Sequence, residues 1–294
     1  MRIKRPDETV LVGDTTMSTL LETVRANRQR GLKRFLYDEG NWTVFLSDNE
    51  RLSADFEREN NYAPSHLDYS TIRNALINLY DSSSKYDECK FIVDARERYK
   101  NIICPYCGQG VCSTLDHYFD KDSFSELSLN VWNLIPSCGD CNFKKLNKKI
   151  DSPSERFFHP FFDDFFRAGE EMKLYYVEIE IFPADLLFLL NLKAHPQLDF
   201  NTISIVNWHI KSMDTASRNG VIIRNEFRYW ANKIRTQVAR LSSEELINDY
   251  LKAEKSYEID FSWRGVVINS ILASNLNFTR FCTIVNDQNY SINE

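Results

Sequence analysis

The chain is poor in residues that interrupt regular structure. It holds 9 Gly and 8 Pro among 294 residues. That excludes a collagen-like or low-complexity chain and argues against a mostly β barrel or propeller. No stretch approaches the ~18 consecutive apolar residues of a membrane-spanning helix. The opening MRIKRPDETV lacks the apolar core of a secretion signal, so the chain reads as cytosolic. Positive charge is short as well: 36 Lys and Arg stand against 42 Asp and Glu, a net −6. A protein that coats nucleic acid without specificity is basic overall. This one must gather positive charge locally or be carried to nucleic acid by a partner. What the chain does have is apolar mass, 43% hydrophobic with 20 Phe and 14 Tyr. That is enough for a sizeable core in one large domain or two ordinary ones.

Four of the seven cysteines form two C-x-x-C pairs, Cys104/Cys107 in C-P-Y-C-G and Cys138/Cys141 in C-G-D-C-N. Each spacing lets two thiolates reach one ion while the backbone turns beneath it. Four thiolates make a closed tetrahedral shell, the structural type of zinc site, with no position left for water. In a cytosolic chain such thiols are free to hold metal rather than pair as disulfides. The interval between the pairs exceeds that of simple zinc ribbons, so the intervening chain must hold something. Cys112 and Cys89 lack paired partners and read as packing.

That intervening segment carries the chemistry. Ser113–His117 alternates as a short strand does, and Asn133–Pro136 reads as its return partner. The residues after Cys138 read as a helix, with Asn142, Lys145 and Lys149 on one face. Adjacent residues on a strand point to opposite faces, so Asp116 and His117 divide their labour. Asp116 and Asn142 offer the oxygens that suit Mg²⁺ or Mn²⁺. His117 remains as a general base, with Asn133 offering a carbonyl oxygen to steady its ring. Lys144, Lys145, Lys148 and Lys149 are candidates for backbone phosphates, or else a solvated helix end.

Leu115-Asp116-His117, Asn133-Leu134-Ile135-Pro136 and the run from Cys138 to Lys145 together resemble the HNH endonuclease superfamily and its ββα-metal core. The resemblance covers roughly residues 104–150. It implies that Asp116 and Asn142 bind a divalent cation, that His117 activates water, that Asn133 orients the base and that the four cysteines hold structural zinc. The activity implied is hydrolysis of DNA phosphodiester bonds. The chain departs from the family in carrying Asp120 where Pro is frequent. Proteins of this kind include effectors resembling the nuclease subunits of Septu and retron antiphage systems, which implies an ATPase or other defence-system partner. The competing class is a zinc-stabilised nucleic-acid-binding module without catalysis.

Elsewhere the pattern predicts helices from Thr15 through Leu36, with a basic face, over Leu67–Tyr80 and over 86–100. Residues 41–62 are mixed in pattern and are assigned no element. Tyr175–Phe182 alternates as a strand; Leu186–Leu192 reads as a short helix and Thr202–Trp208 as a second strand. Gly220–Leu241 carries an apolar stripe that serves either a core or a seam with a partner or second copy. A helix restarts at Glu244 and runs to about Lys255, and another spans Trp263–Ala273. His159, in the Phe-rich run, reads as core; His66, His195 and His209 receive no role. The expected fold is α+β and mostly helical. It has an N-terminal helical region (1–100), a ββα-metal zinc core (101–152) and an α-rich C-terminal region with a few strands (153–294).

Overall fold

The computed structural model describes residues 30–38, 40–59, 67–85, 89–146, 148, 150, 152–167, 171–237, 243–255, 262–287 and 289–290. The fold is α+β and mostly helical, with two small antiparallel sheets. No described helix is long and apolar enough to cross a membrane. The chain divides into two compact units, Met1–Arg167 and Ala168–Glu294. The first part of the helix expected from Thr15 lies outside the described residues. Its described end, Arg30–Lys33 and the wider turn Arg34–Asp38, buries Leu32 and Leu36.

Counting helices of seven residues or more, the first unit contains α1 (Trp42–Glu59), α2 (Arg73–Asp81), α3 (Lys90–Tyr99), β1 (Thr114–His117), β2 (Leu134–Ser137) and α4 (Gly139–Lys145). α1 occupies a stretch that shows no clean period, and the reason is visible in its buried face. Phe45 and Leu52 are buried there together with Asp48 and Asn49. Those two polar residues interrupt the apolar pattern, yet both are satisfied. Asp48 accepts from Tyr69 Oη at 2.7 Å, and Asn49 Nδ2 donates to the Glu126 carbonyl at 3.1 Å. Asn130 Nδ2 returns a bond to the Asn49 carbonyl at 2.9 Å. α1 is thus tied to the loop between β1 and β2.

β1 and β2 pair antiparallel, with Asp116 opposite Ile135 and His117 opposite Leu134. α4 follows at once, so strand, loop, strand and helix are the local plan. The Phe-rich run closes this unit from below. Arg156 and Asp163 form a buried two-pronged ion pair at 3.0 and 2.6 Å, Tyr118 Oη donates to the Phe157 carbonyl at 2.8 Å, and His159 Nε2 meets the Trp132 carbonyl at 3.0 Å. His159 is buried among aromatic rings, as its setting predicts.

The second unit holds β3 (Tyr175–Phe182), β4 (Leu187–Ala194), α5 (Phe200–Met213), α6 (Thr215–Arg235), α7 (Glu244–Lys255), α8 (Trp263–Ala273) and α9 (Asn275–Asn286). Two expectations are corrected here. Leu187–Ala194 is a strand, because it pairs along its whole length with β3; a short apolar run does not by itself distinguish strand from helix. Residues 202–208 are helical despite their β-branched side chains. Asp199 caps α5 by accepting from the Thr202 N–H at 3.0 Å, and Ile205, Val206, His209, Ile210 and Met213 fall on its buried face. Tertiary packing outweighs the weak local preference. α6 buries Ile223, Phe227, Trp230 and Ile234, so this part of the stripe serves a core.

Candidate active site

The site begins with the thiols. The Sγ atoms of Cys104, Cys107, Cys138 and Cys141 all lie within 4.8 Å of one another, and Cys107 and Cys138 stand 3.9 Å apart. Tetrahedral zinc with Zn–S bonds of about 2.3 Å separates its sulfurs by about 3.8 Å, so the cluster fits such an ion. Burial pushes the Cys104 thiol up to about 12, and its neighbour Cys104 pushes Cys107 higher still. The other pair splits, with Cys141 pushed up and Cys138 pushed down by their neighbours; a cation among them would favour the thiolate form of all four. The first knuckle depends on a glycine that spacing alone did not single out. A Cβ on Gly110 would sit 2.8 Å from Cys138 Sγ and 2.9 Å from Cys138 Cβ, while its N–H donates to Cys107 Sγ at 3.3 Å. Cys112 is buried beside the cluster.

Because Cys138 leads directly into α4 and Cys104 lies near the entry to β1, holding the thiols together sets β1 against α4. Asp116, His117 and Asn142 consequently line one cavity of about 530 Å³, along with Tyr80, Arg96, Asp120 and Lys121. Asp116 and His117 both border it although they are strand neighbours, because His117 is the last residue of β1.

Asp116 is buried, and its Oδ2 accepts from Tyr106 Oη at 3.0 Å and from Lys145 Nζ at 3.2 Å. Burial pushes its pKa up; the Lys145 charge and both hydrogen bonds pull it back. Lys145 departs from its expected place. It is 0% exposed, and its Nζ donates to the His117 carbonyl at 2.6 Å as well as to Asp116. It lies under β1, where it neutralises the carboxylate, and cannot lie along a phosphate backbone at the surface. A buried carboxylate needs such a partner, which the helical spacing of lysines does not disclose. Lys148 is exposed and Lys144 half-exposed, while Lys149 lies outside the described residues.

The imidazole of His117 is held by the protein backbone. Its Nε2 lies 3.0 Å from the Ser128 carbonyl. A carbonyl only accepts, so Nε2 carries the proton and Nδ1 keeps the lone pair. Tyr80 packs edge-on against the ring at 4.4 Å between centroids, its own Oη donating to the Leu115 carbonyl at 3.1 Å. Burial, aided by the charges of Lys121 and Lys145, lowers the His117 pKa to about 3 against the opposing pull of the Ser128 carbonyl. The ring is therefore neutral at ordinary pH.

Asn133 takes a different contact from the one expected. It does not touch the His117 ring. Its side chain accepts from the Phe119 N–H at 2.8 Å and donates to the carbonyls of Phe119 and Leu127 at 3.0 and 3.2 Å. It clasps the two ends of the loop that presents Ser128, and so acts on the imidazole through that loop. The Asn142 amide nitrogen donates to Thr114 Oγ1 at 3.3 Å, which leaves its oxygen as the atom available to a cation.

Several members of the site come from outside the motif. Tyr80 lies in α2 and Arg96 in α3, both remote in sequence from the thiols, so no spacing links them to the site. Tyr106 sits inside the first knuckle; a polar-tipped aromatic between two cysteines is the signal that was there to be read.

Comparison with known proteins gives two distant relatives. The chain is 27% identical over 156 residues, 49% of its length, to protein ea31 of Escherichia phage lambda. It is 28% identical over 93 residues, 28% of its length, to Septu protein PtuB of Bacillus thuringiensis. These matches span half of the phage protein and 30% of the Bacillus one. No family model matches the chain, and no solved structure matches it.

Proposed function

We propose that this chain is a metal-dependent endonuclease of the HNH kind, acting on DNA phosphodiester bonds as an effector of antiphage defence. The observation that carries the reading is the shared cavity: Asp116, His117 and Asn142 line one space, beside four thiols that fit zinc. Similarity to a Septu protein supports the defence role and a partner within such a system.

Asp116 and Asn142 would hold Mg²⁺ or Mn²⁺, hard cations that take one or two protein oxygens and keep several waters. When bound, the ion would offset the negative charge that develops on the phosphate and the departing 3′ oxygen. His117 acts through Nδ1 as the proton acceptor for the attacking water. In the free protein its low pKa keeps it unprotonated; the anionic phosphate, once present, raises that pKa and makes proton transfer easier. Lys145 and Tyr106 fix the Asp116 carboxylate, and Asn133 fixes the loop carrying Ser128.

The test is cleavage of plasmid DNA with added Mg²⁺ or Mn²⁺ and zinc content measured alongside. Wild type cuts, and His117→Ala loses activity by 10²-fold or more while retaining its zinc. Equal cutting by the variant would refute the role of His117. Wild type that binds DNA yet nicks none at any concentration of either ion favours the alternative, a zinc-stabilised binding module.

A further inference from the structure

Two cations border the cavity, and they are not in the same state. Lys121 is paired: its Nζ lies 2.7 Å from Asp81 Oδ1. The cation beneath the cavity, Lys145, is paired with Asp116. Arg96 has no ion-pair partner among the described residues. It sits on α3 beside the buried Ala95, half-buried, with its guanidinium 5.1 Å from the centroid of the Tyr80 ring. Arg96 also reaches the Tyr80 hydroxyl; contact with one neutral ring orients a guanidinium but supplies no counter-charge. A half-buried positive charge without a counter-charge costs stability, and a chain with net charge −6 has carboxylates to spare for it. The arrangement fits a site whose missing anion arrives with the substrate.

We propose that Arg96 grips the phosphate that is cut, its fork binding two oxygens while Tyr80 holds the guanidinium in plane. This rests on the nuclease reading for the identity of the anion. Tyr80 then serves two groups at once, stacking Arg96 and buttressing His117, so the phosphate and the base are registered against one ring. A planar fork suits a phosphate in a way that a lysine ammonium does not.

The experiment measures binding of a short labelled DNA duplex across a salt series, in the His117→Ala background with Mg²⁺ so that no cutting intervenes. It also measures cleavage at saturating DNA with His117 intact. Loss of one phosphate contact lowers the slope of log affinity against log salt by about one. Arg96→Ala is expected to lower the slope by that amount and to slow cleavage by about tenfold or more. Arg96→Lys keeps the slope and recovers only part of the rate. Arg98→Ala, on the exposed side of the same helix, leaves the cleavage rate unchanged. An unchanged slope with Arg96→Ala, or equal slowing by Arg98→Ala, overturns the proposal, the second by showing general attraction only. If wild type cuts and Arg96→Ala cuts as fast, the grip is wrong and the nuclease reading stands. If wild type never cuts but its DNA binding depends on Arg96 as described, Arg96 is a phosphate contact of a binding module, and the grip on a phosphate that is cut falls with the nuclease reading.

Discussion

The two units solve one problem in different ways. Each contains a two-stranded sheet, too small to be stable alone. In the first unit, β1 and β2 are held at one end by thiols and underneath by a buried cation, and polar side chains converge on one cavity. In the second, no such cluster of thiols is present among the described residues. The edge of β3 is closed by side chains of two helices: Asn277 accepts from the Ile179 N–H at 2.9 Å and donates to the Val177 carbonyl at 2.8 Å, while Ser270 Oγ accepts from the Val177 N–H at 2.8 Å. An amide and a hydroxyl do there what a third strand would do, and leave no edge open along that stretch. The difference teaches where polar groups are placed for stability and where they are placed for chemistry. In the second unit every one of these atoms faces a backbone partner. In the first, Asp116 and Asn142 also line an open cavity.

The comparison breaks most completely at the thiols. Cys141→Ser, or a strong zinc chelator, removes a term on the order of 10 kcal/mol from the first unit. Hydrogen exchange should show Leu115–Ser137 losing protection while β3 and α6 keep theirs. Retained protection in β1 and β2 after metal loss would show that the cluster is not what holds them.

The converse cut is Asn277→Ala. It strands the Ile179 N–H and the Val177 and Ser270 carbonyls, all in buried residues. A lost buried amide that leaves backbone partners unpaired costs about 3 kcal/mol. Chemical denaturation followed by a probe in the second unit should show that loss, and zinc content should not move. A change below about 0.5 kcal/mol would mean that the strand edge is satisfied by other means.

The same contrast explains what was legible in the sequence. The thiol pairs, Asp116-His117 and Asn142 are short-range patterns, and the segments that carry them form the expected β1, β2 and α4. α8 was legible as a helix over Trp263–Ala273; the structure adds that Ser262 Oγ caps it by accepting from the Gly265 N–H. Asn277 gives no such signal: its partners on β3 are about a hundred residues away, and it looks like an ordinary polar residue on a helix. Arg96 and Tyr80 are hidden for the same reason. Lys145 misled because helical spacing reports which face a residue shares and not whether that face is buried. β4 and α5 misled because local preference is weak beside pairing and packing.

The smallest effect, taken over one pH unit, comes from His117 and separates a held imidazole from an exposed one. Its folded pKa is lowered to about 3, against about 6.5 in an unfolded chain. The unfolded state therefore binds the proton first. Stability contributed by the neutral buried ring is complete above pH ~6.5 and drains away as pH falls toward ~3, at up to about 1.4 kcal/mol per unit. His117→Asn lacks this proton, so the difference in unfolding free energy between wild type and variant should shrink steadily on acidification from pH ~6.5. Thiol and carboxylate protonation act on both proteins and cancel in that difference. Parallel curves would show that the ring titrates alike in both states, and that the Ser128 carbonyl and Tyr80 do not keep it neutral as the geometry requires.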